Sequence, residues 1–570
     1  MSRQNNPSHA SPLLTATTLA AAAALPPLLA YNQTPAATLY NQLLALAGWG
    51  LALLFWANAT PGWRAALKSP AALALALLLI APVCSAVGRA LPMSVALDAT
   101  AVLGAGLAVL LVAQGLSPEA RAHAAEALCW GLLAAGLASF AISLVQVFAP
   151  NAADGSFIAR SGLPGRAIGN LRQPNHLASL MMWAAVAAVF ITEKRGWRLA
   201  LPPLLFAFVL TVVLSASRTG FIGIAMLAAW GILDRRLSRS ARLSLLATPL
   251  MLGLCWWLME HWSAESGHAF GAASRLSEGA GSPSRVAILR DAWALTLANP
   301  WFGVGWGEFN FAWSLTPFPT RPIAFFDHTH NLPSQLAVEL GLPWAGVVLA
   351  LLCWALWQAW HGAARADDDA PLRRAALMIV LAIGLHSLLE YPLWYAYFLL
   401  PACFALGLAL PAATDGSEPA GRGPWPLVGG LLIAGSLFAR WDYHRIVDIY
   451  TPSEDATPLT ERIATGQHSL FFGHQADYAA ATSLPPGPAA LAAAKRTAFN
   501  LIDARLLMHW SLSLQAVGDA EGARYLADRL REFHNATGDS WFASCADPAS
   551  APAMPQCQPA SAVIDWRKLR

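Results

Sequence analysis

Three observations predict an all-α polytopic membrane protein with about thirteen transmembrane helices and a small α-helical C-terminal domain on its outer face. Of 570 residues, 56% are hydrophobic and only 12% are charged, whereas a soluble globular chain carries about 25% charged residues. Apolar runs near the roughly 20 residues that cross a hydrocarbon core recur from end to end. From about residue 441 the composition changes: Arg, Asp, Glu, Ala and Pro mix, and no spanning run remains. The net charge of +3 offers no argument for a nucleic-acid partner.

In order, the apolar segments read at 12–30, 38–57, 70–88, 94–115, 125–149, 176–192, 197–215, 219–233, 241–260, 331–360, 372–389, 391–411 and 425–440. The first resembles a signal peptide, but a multi-span chain follows it, so it reads as an uncleaved helix. Loops 58–69, 193–198, 234–242 and 361–374 hold Arg64 and Lys68, then Lys194, Arg195 and Arg198, then Arg235, Arg236, Arg239 and Arg242, then Arg365, Arg373 and Arg374. All fall on the side of the N-terminus, and the positive-inside rule makes that side cytoplasmic. Loops 31–37 and 390–391, on the other side, carry no Lys or Arg. This divides the chain into N-terminal spans (1–150), a membrane core with outer loops 150–175 and 261–330 (151–440), and an outer domain (441–570). Within that domain, 488–513 and 516–535 read as two amphipathic helices, similar to one tetratricopeptide hairpin; a single copy builds no solenoid.

Cys84, Cys129, Cys255, Cys353 and Cys403 lie in apolar runs and read as small core residues. Cys545 and Cys557 lie in the polar tail and can either pair, if the tail faces an oxidising compartment, or stay as thiols.

Arginines stand on the outer side, where cations are normally sparse. Loop 150–175 holds Arg160, Arg166 and Arg172; the turn after segment 197–215 holds Arg218; loop 261–330 holds Arg275, Arg285, Arg290 and Arg321. The bland reason is pairing with lipid phosphates, and the sharper one is an anionic substrate at the outer face. Lys is scarce, so Arg in its place does not by itself signal a site.

The densest candidate is Asp327-His328-Thr329-His330-Asn331, with two histidines, a carboxylate and an amide just before an apolar helix. His330 suits proton transfer near neutral pH, with Asp327 or Asn331 to orient its ring. Asp327 or Thr329 can equally serve as helix N-cap. A second dense stretch is Gly169-Asn170-Leu171-Arg172-Gln173-Pro174-Asn175-His176. Arg172 suits bidentate phosphate binding, and Gln173, Asn175 and His176 suit sugar hydroxyls; an ordinary capped turn is the alternative. Arg285 and Arg290, five apart on a helix, diverge and do not share one partner. Asn299-Pro300-Trp301-Phe302-Gly303-Val304-Gly305-Trp306-Gly307 reads as a helix stop and Gly-rich turn; no strand precedes it, so it is not a nucleotide loop. Glu390-Tyr391-Pro392-Leu393-Trp394-Tyr395 marks an outer helix junction, explained either by an interfacial aromatic belt or by a cavity that Glu390 and Tyr391 line.

Taken in order, Ser217-Arg218, Ser284-Arg285, Pro300 to Gly307, His330-Asn331 and Glu339-Leu340-Gly341 resemble the bacterial O-antigen ligase and O-oligosaccharyltransferase superfamily (the Wzy_C type). The block from Gly169 to His176 and the polar tail are similar to the PglL-like pilin O-oligosaccharyltransferases. The resemblance implies a GT-C-like membrane glycosyltransferase that moves a glycan from an undecaprenyl-diphosphate carrier to a hydroxyl acceptor at the periplasmic face. It implies His330 as the key residue, Arg218 and Arg285 as diphosphate ligands, Gln173 as the loop glutamine and Tyr391 as a functional tyrosine; the pattern does not require His328. The outer loops hold no DxD-like acidic pair and no group at metal-ligand spacing, so transfer is expected to need neither metal nor cofactor. The expected partners are the lipid-linked glycan, membrane lipids, and a pilin-like protein or, in the ligase alternative, lipid A core. Polymerisation of O-antigen is a further alternative within this class. From another class, a lipid-linked glycan flippase is disfavoured because the polar groups cluster at outer helix ends, with His386 the main exception inside a span.

Overall fold

The computed structural model describes residues 12–56, 59–89, 91–272, 283–413, 423–547, 549 and 551–570. Among the described residues the chain is helical, with no strand. Every apolar segment is largely helical, most of them as one helix and 241–260 and 331–360 as two each. Seven helices are long and apolar enough to cross a membrane: Leu39–Trp56, Pro70–Gly88, Met93–Gly115, Pro118–Phe148, Pro174–Arg195, Leu342–Ala364 and Ala370–Ser387. An eighth span arises if the pair Arg239–Leu246 and Thr248–Ser266, bent by 42°, is taken as one. Leu13–Leu28, Leu201–Ser215, Arg218–Leu233 and Ala396–Ala409 are apolar but shorter. Trp425–Asp442 completes the set. The chain is thus a multi-pass membrane protein by its helix lengths and composition.

Local chemistry sets the helix ends. Ser117 Oγ accepts from the Ala120 N–H, and Pro118 takes the first helical position of Pro118–Phe148, where its missing N–H costs nothing. Pro174–Arg195 closes with Lys194 and Arg195 in its last turn and Gly196 in the left-handed region.

Besides the bent 241–260 segment, two further expected elements are broken. Segment 331–360 is interrupted at Gly341, leaving Leu332–Leu340 as a separate helix before Leu342–Ala364. At this point two backbones meet without side chains between them. A Cβ on Gly341 would lie 2.5 Å from the Trp301 carbonyl, and one on Gly303 would lie 2.4 Å from that of Glu339. Stretch 488–513 forms two helices, Pro488–Thr497 and Ala504–Ala516, because Asp503 caps a new start by accepting from the Leu506 N–H at 2.8 Å.

The chain gathers into two compact units. The first comprises Met1–Leu75, Gly104–Ala280 and Leu351–Phe438. Its innermost helix is Pro174–Arg195, buried on every side, as an all-round apolar helix must be. Trp183 on that helix donates to the Ile379 carbonyl at 2.9 Å. Arg121 closes two helix ends at once. Its guanidinium donates to the Ala113 carbonyl (3.2 Å) at the end of Met93–Gly115, and to Leu408 (2.7 Å) and Leu410 (3.0 Å) at the end of Ala396–Ala409. One buried cation thereby satisfies carbonyls that have no partner within their own helices.

The second unit comprises Ala76–Leu103, Gly281–Ala350 and Ala439–Arg570. Its tail helices pack on the buried helix Phe309–Leu315. Phe311 stacks on Phe499 (4.9 Å) and meets Trp566 edge-on (5.9 Å), and the Tyr525 hydroxyl donates to the Leu315 carbonyl at 2.7 Å. Cys545 and Cys557 form a disulfide. Arg321, one of the arginines expected on the outer side, is enclosed. Its guanidinium lies 4.7 to 5.3 Å from the ring centres of Phe533, Trp313 and Phe318 and pairs with Glu532 at 2.8 Å. It ties the loop to the tail by cation–π contact and charge.

Candidate active site

In the first unit, two buried amides hold the loop that leads into Pro174–Arg195. Gln146 accepts from the N–H groups of Ile168 (3.0 Å) and Gly169 (2.9 Å) and donates to the Ala159 carbonyl (2.7 Å). Asn170 accepts from the Ala159 N–H (3.0 Å) and donates to the carbonyls of Leu28 (2.7 Å) and Phe157 (2.9 Å). Gln146 is not among the residues that the sequence motifs mark, although a lone amide in Ser143-Leu144-Val145-Gln146-Val147-Phe148 is a usable signal.

Arg172 follows, in the left-handed region at φ 56°. Its guanidinium donates to the Ala30 carbonyl, to Asn32 Oδ1 at 2.8 Å and to the Asn170 carbonyl at 3.5 Å. Gln173 is the N-cap of the helix, its Oε1 accepting from the His176 N–H at 2.8 Å. Asn175 joins three elements. Its Nδ2 donates to Glu390 Oε1 (3.1 Å), and its Oδ1 accepts from Ser217 Oγ (2.7 Å). Ser217 caps the helix that begins at Arg218, which is half-buried. His176 is buried. Its Nδ1 lies 3.1 Å from the Tyr397 hydroxyl, and its ring meets Tyr395, Phe398 and His386 at 4.7, 5.1 and 5.8 Å. His386 is held by Ser179 Oγ at 2.7 Å. Tyr391 stacks on Tyr395 with ring centres 6.1 Å apart.

In the second unit, the Gly-rich turn is pinned to the end of Leu332–Leu340. The Val304 N–H donates to the Val338 carbonyl (2.8 Å), Gly305 to Glu339 (3.0 Å) and Leu342 to Pro300 (2.7 Å). Two carboxyls are buried in this frame. Burial pushes Glu308 up to about 8, with the charges of Arg570 and Arg89 opposing but not reversing it. Burial likewise pushes Glu339 up to about 7, opposed by the N–H groups of Gly307 and Phe309.

The Asp327 cluster opens Leu332–Leu340. Asn331 is the N-cap, accepting from the Ser334 N–H at 3.0 Å, so neither Asp327 nor Thr329 fills that place. Thr329 is buried, its N–H bound to Gln335 Oε1 at 2.8 Å. Asp327 pairs with His328 Nδ1 at 3.1 Å. Crowding disfavours the Asp327 carboxylate, but His328 beside it and His330 farther off outweigh that and hold its pKa below the ordinary 3.8. His330 is half-buried at φ 56°, its ring edge-on to Phe326 at 5.2 Å. Arg285, on helix Pro283–Ala298, is half-buried. Arg290 on the same helix turns to Asp291 (3.2 Å) and the Thr320 carbonyl (3.3 Å).

One local device recurs. Among the described residues, the non-glycine positions with positive φ are Arg172, Ala216, His330 and His534. Each stands immediately before a side-chain N-cap: Gln173, Ser217, Asn331 and Asn535. A left-handed residue costs about 1–2 kcal/mol. Three of the four strained positions open the motifs that the sequence singled out.

A multi-pass helical membrane protein with strained, capped polar turns at its helix starts is the class that fold and site define. The O-antigen ligase family matches residues 203–351, which include Arg218, Arg285 and His330. The protein glycosylation ligase segment matches 167–191, which include Arg172 to His176. The C-terminal region of the virulence factor membrane-bound polymerases matches 374–545. Residues 203–351 are thus similar to the O-antigen ligases and residues 167–191 to the protein glycosylation ligases, the two resemblances that the motifs led one to expect. A general O-oligosaccharyltransferase of Acinetobacter baylyi is 27% identical over 286 residues, 47% of this chain and 49% of that protein. A ComP-specific O-oligosaccharyltransferase of the same bacterium is 24% identical over 256 residues, 44% of this chain and 45% of that protein. The chain thus spans about half the length of the curated relatives it matches.

Proposed function

We propose that this protein is a glycosyltransferase of the O-oligosaccharyltransferase type. It moves a glycan from undecaprenyl diphosphate to Ser or Thr hydroxyls of exported proteins such as pilin. The observation that carries this reading is the protein glycosylation ligase match over the Arg172–His176 turn. The Acinetobacter relatives, both named O-oligosaccharyltransferases, support it.

In the proposed reaction His330 takes the proton of the acceptor hydroxyl, whose oxygen attacks the anomeric carbon. The bond from that carbon to the diphosphate oxygen breaks, and undecaprenyl diphosphate leaves with the electron pair. Arg218 and Arg285 stabilise the charge that develops on it. A single displacement inverts the anomeric centre, and retention in the product, seen by NMR, would reject it. Asn331 supports His330 by capping its helix, and Asp327 acts through His328. Gln173 uses its oxygen as cap and offers its amide nitrogen to the glycan, while Tyr391 lines the acceptor side. Arg172 and His176, both engaged inside their own unit, brace the turn that carries Gln173. No metal is assigned a role.

We read the shorter apolar helices and Trp425–Asp442 as crossing too, for thirteen spans with the N-terminus cytoplasmic and residues 441–570 periplasmic. The Cys545–Cys557 disulfide supports an oxidising compartment for that tail. The test is co-expression with a lipid-linked glycan pathway and a pilin, followed by mass spectrometry. Glycosylated pilin is the expected result. The O-antigen ligase match favours the ligase as second reading, and modified lipid A core with unmodified pilin would establish it instead.

A further inference from the structure

Asn175 is held at both ends of its amide, and the direction of every bond around it is set by chemistry. The Gly220 N–H can only donate, and it donates to Ser217 Oγ at 3.1 Å. The Ser217 hydroxyl donates onward to Asn175 Oδ1 at 2.7 Å. Asn175 Nδ2 then donates to Glu390 Oε1 at 3.1 Å, and a carboxylate can only accept. A one-way chain thus runs from the N-terminus of the Arg218–Leu233 helix, through a hydroxyl and an amide, to a carboxylate.

Its polarity is favourable throughout. A helix N-terminus carries partial positive charge, and each bond in such a chain strengthens the next. Ser217 and Glu390 are 1% and 7% exposed, so little water competes for these groups. Ala216, just before the cap, sits at φ 53°, a backbone that persists only where its surroundings hold it. Glu390 is the terminal acceptor, and without it the Asn175 amide is no longer fixed in this orientation.

We propose that Glu390 is a positioning residue: through Asn175 and Ser217 it fixes the start of the Arg218–Leu233 helix, and with it the direction of the Arg218 guanidinium toward the donor diphosphate. The proposal rests on the reading of Arg218 as a donor ligand. It takes Asn175 out of direct contact with sugar and makes it the link.

The test is steady-state transfer by the purified full chain in detergent, with a polyprenyl-diphosphate glycan as donor and pilin as acceptor, rates being taken per monodisperse protein. Glu390→Ala is expected to raise the donor KM about tenfold or more, as loss of a hydrogen bond to a charged group does, with a smaller change in kcat. Glu390→Gln keeps an acceptor oxygen and should recover most of the loss. Asn175→Ala should match Glu390→Ala, and the double variant should be no worse than either single one, because both cut one chain. Should Glu390→Ala not accumulate, Ser217→Ala, which cuts the chain at its other end, must give the same rise in KM. A donor KM unchanged by Glu390→Ala would overturn the proposal. So would a Glu390→Gln variant as inactive as Glu390→Ala at unchanged KM, which would put the carboxylate into the chemistry. Arg218→Ala separates the layers. If it raises the donor KM and Glu390→Ala does not, only this inference fails; if it leaves the donor KM unchanged, the donor reading fails and takes the inference with it.

Discussion

The turns at Arg172 and at His330 share one backbone. Each places a left-handed residue at φ 56°, then an amide N-cap, then a proline in the first helical turn. They differ in what surrounds the strained side chain. The Arg172 guanidinium is directed into carbonyl and amide oxygens of its own unit, and Gln146 and Asn170, both neutral, brace the loop behind it. The His330 ring stands half-buried beside Phe326, and the helix it opens ends on a frame holding two buried carboxyls, Glu308 and Glu339. Strain marks both turns as important to the fold. The surroundings differ in the way the proposed roles require, Arg172 bracing its loop and His330 taking a proton.

The largest test of that contrast is His330→Asn. Asparagine tolerates the left-handed backbone, so the turn should persist while transfer falls by about 10²–10⁴, the usual worth of a general base. Glycan transfer and thermal unfolding of the same preparation check both halves. Arg172→Ala should do the reverse, lowering stability by about 3 kcal/mol through its lost charged hydrogen bonds, with transfer per folded molecule retained at low temperature. A catalytically dead but fully stable Arg172→Ala would break the comparison.

The two frames should also answer differently to pH. In the folded second unit Glu308 titrates near 8, against an ordinary 4.5. Between those values the unfolded chain has released the proton and the folded chain has not. The contribution of Glu308 to stability is therefore present below about 4.5 and is lost as pH rises through about 8. Unfolding monitored within 439–570 should show this loss, and Glu308→Gln should flatten it. The neutral amides behind Arg172 have nothing to titrate in that range. The smallest effect is in the caps: Gln173→Ala and Asn331→Ala should each cost about 1 kcal/mol, read from the melting temperature.

Much of this was legible in the sequence for physical reasons. Apolar runs of spanning length have few alternatives to helix, and all of them are largely helical. The resemblance to the O-antigen ligases could be read because the motifs stand in order. What escaped depended on distant backbone. The largely apolar run from Leu332 to Trp360 conceals the stop at Gly341, where the Trp301 backbone passes too close for any side chain. Nothing in the letters of Arg172 or His330 announces a left-handed turn. Arg321 read as a candidate anion site until its aromatic neighbours, contributed by Trp313, Phe318 and Phe533, came together around it.

The central claim is that His330 accepts the acceptor's proton in glycan transfer to protein. Purified full-length protein, given an undecaprenyl-diphosphate glycan and pilin, should glycosylate the pilin, and His330→Asn should lose that transfer while unfolding at the same temperature. Undiminished glycosylation by folded His330→Asn would contradict the account.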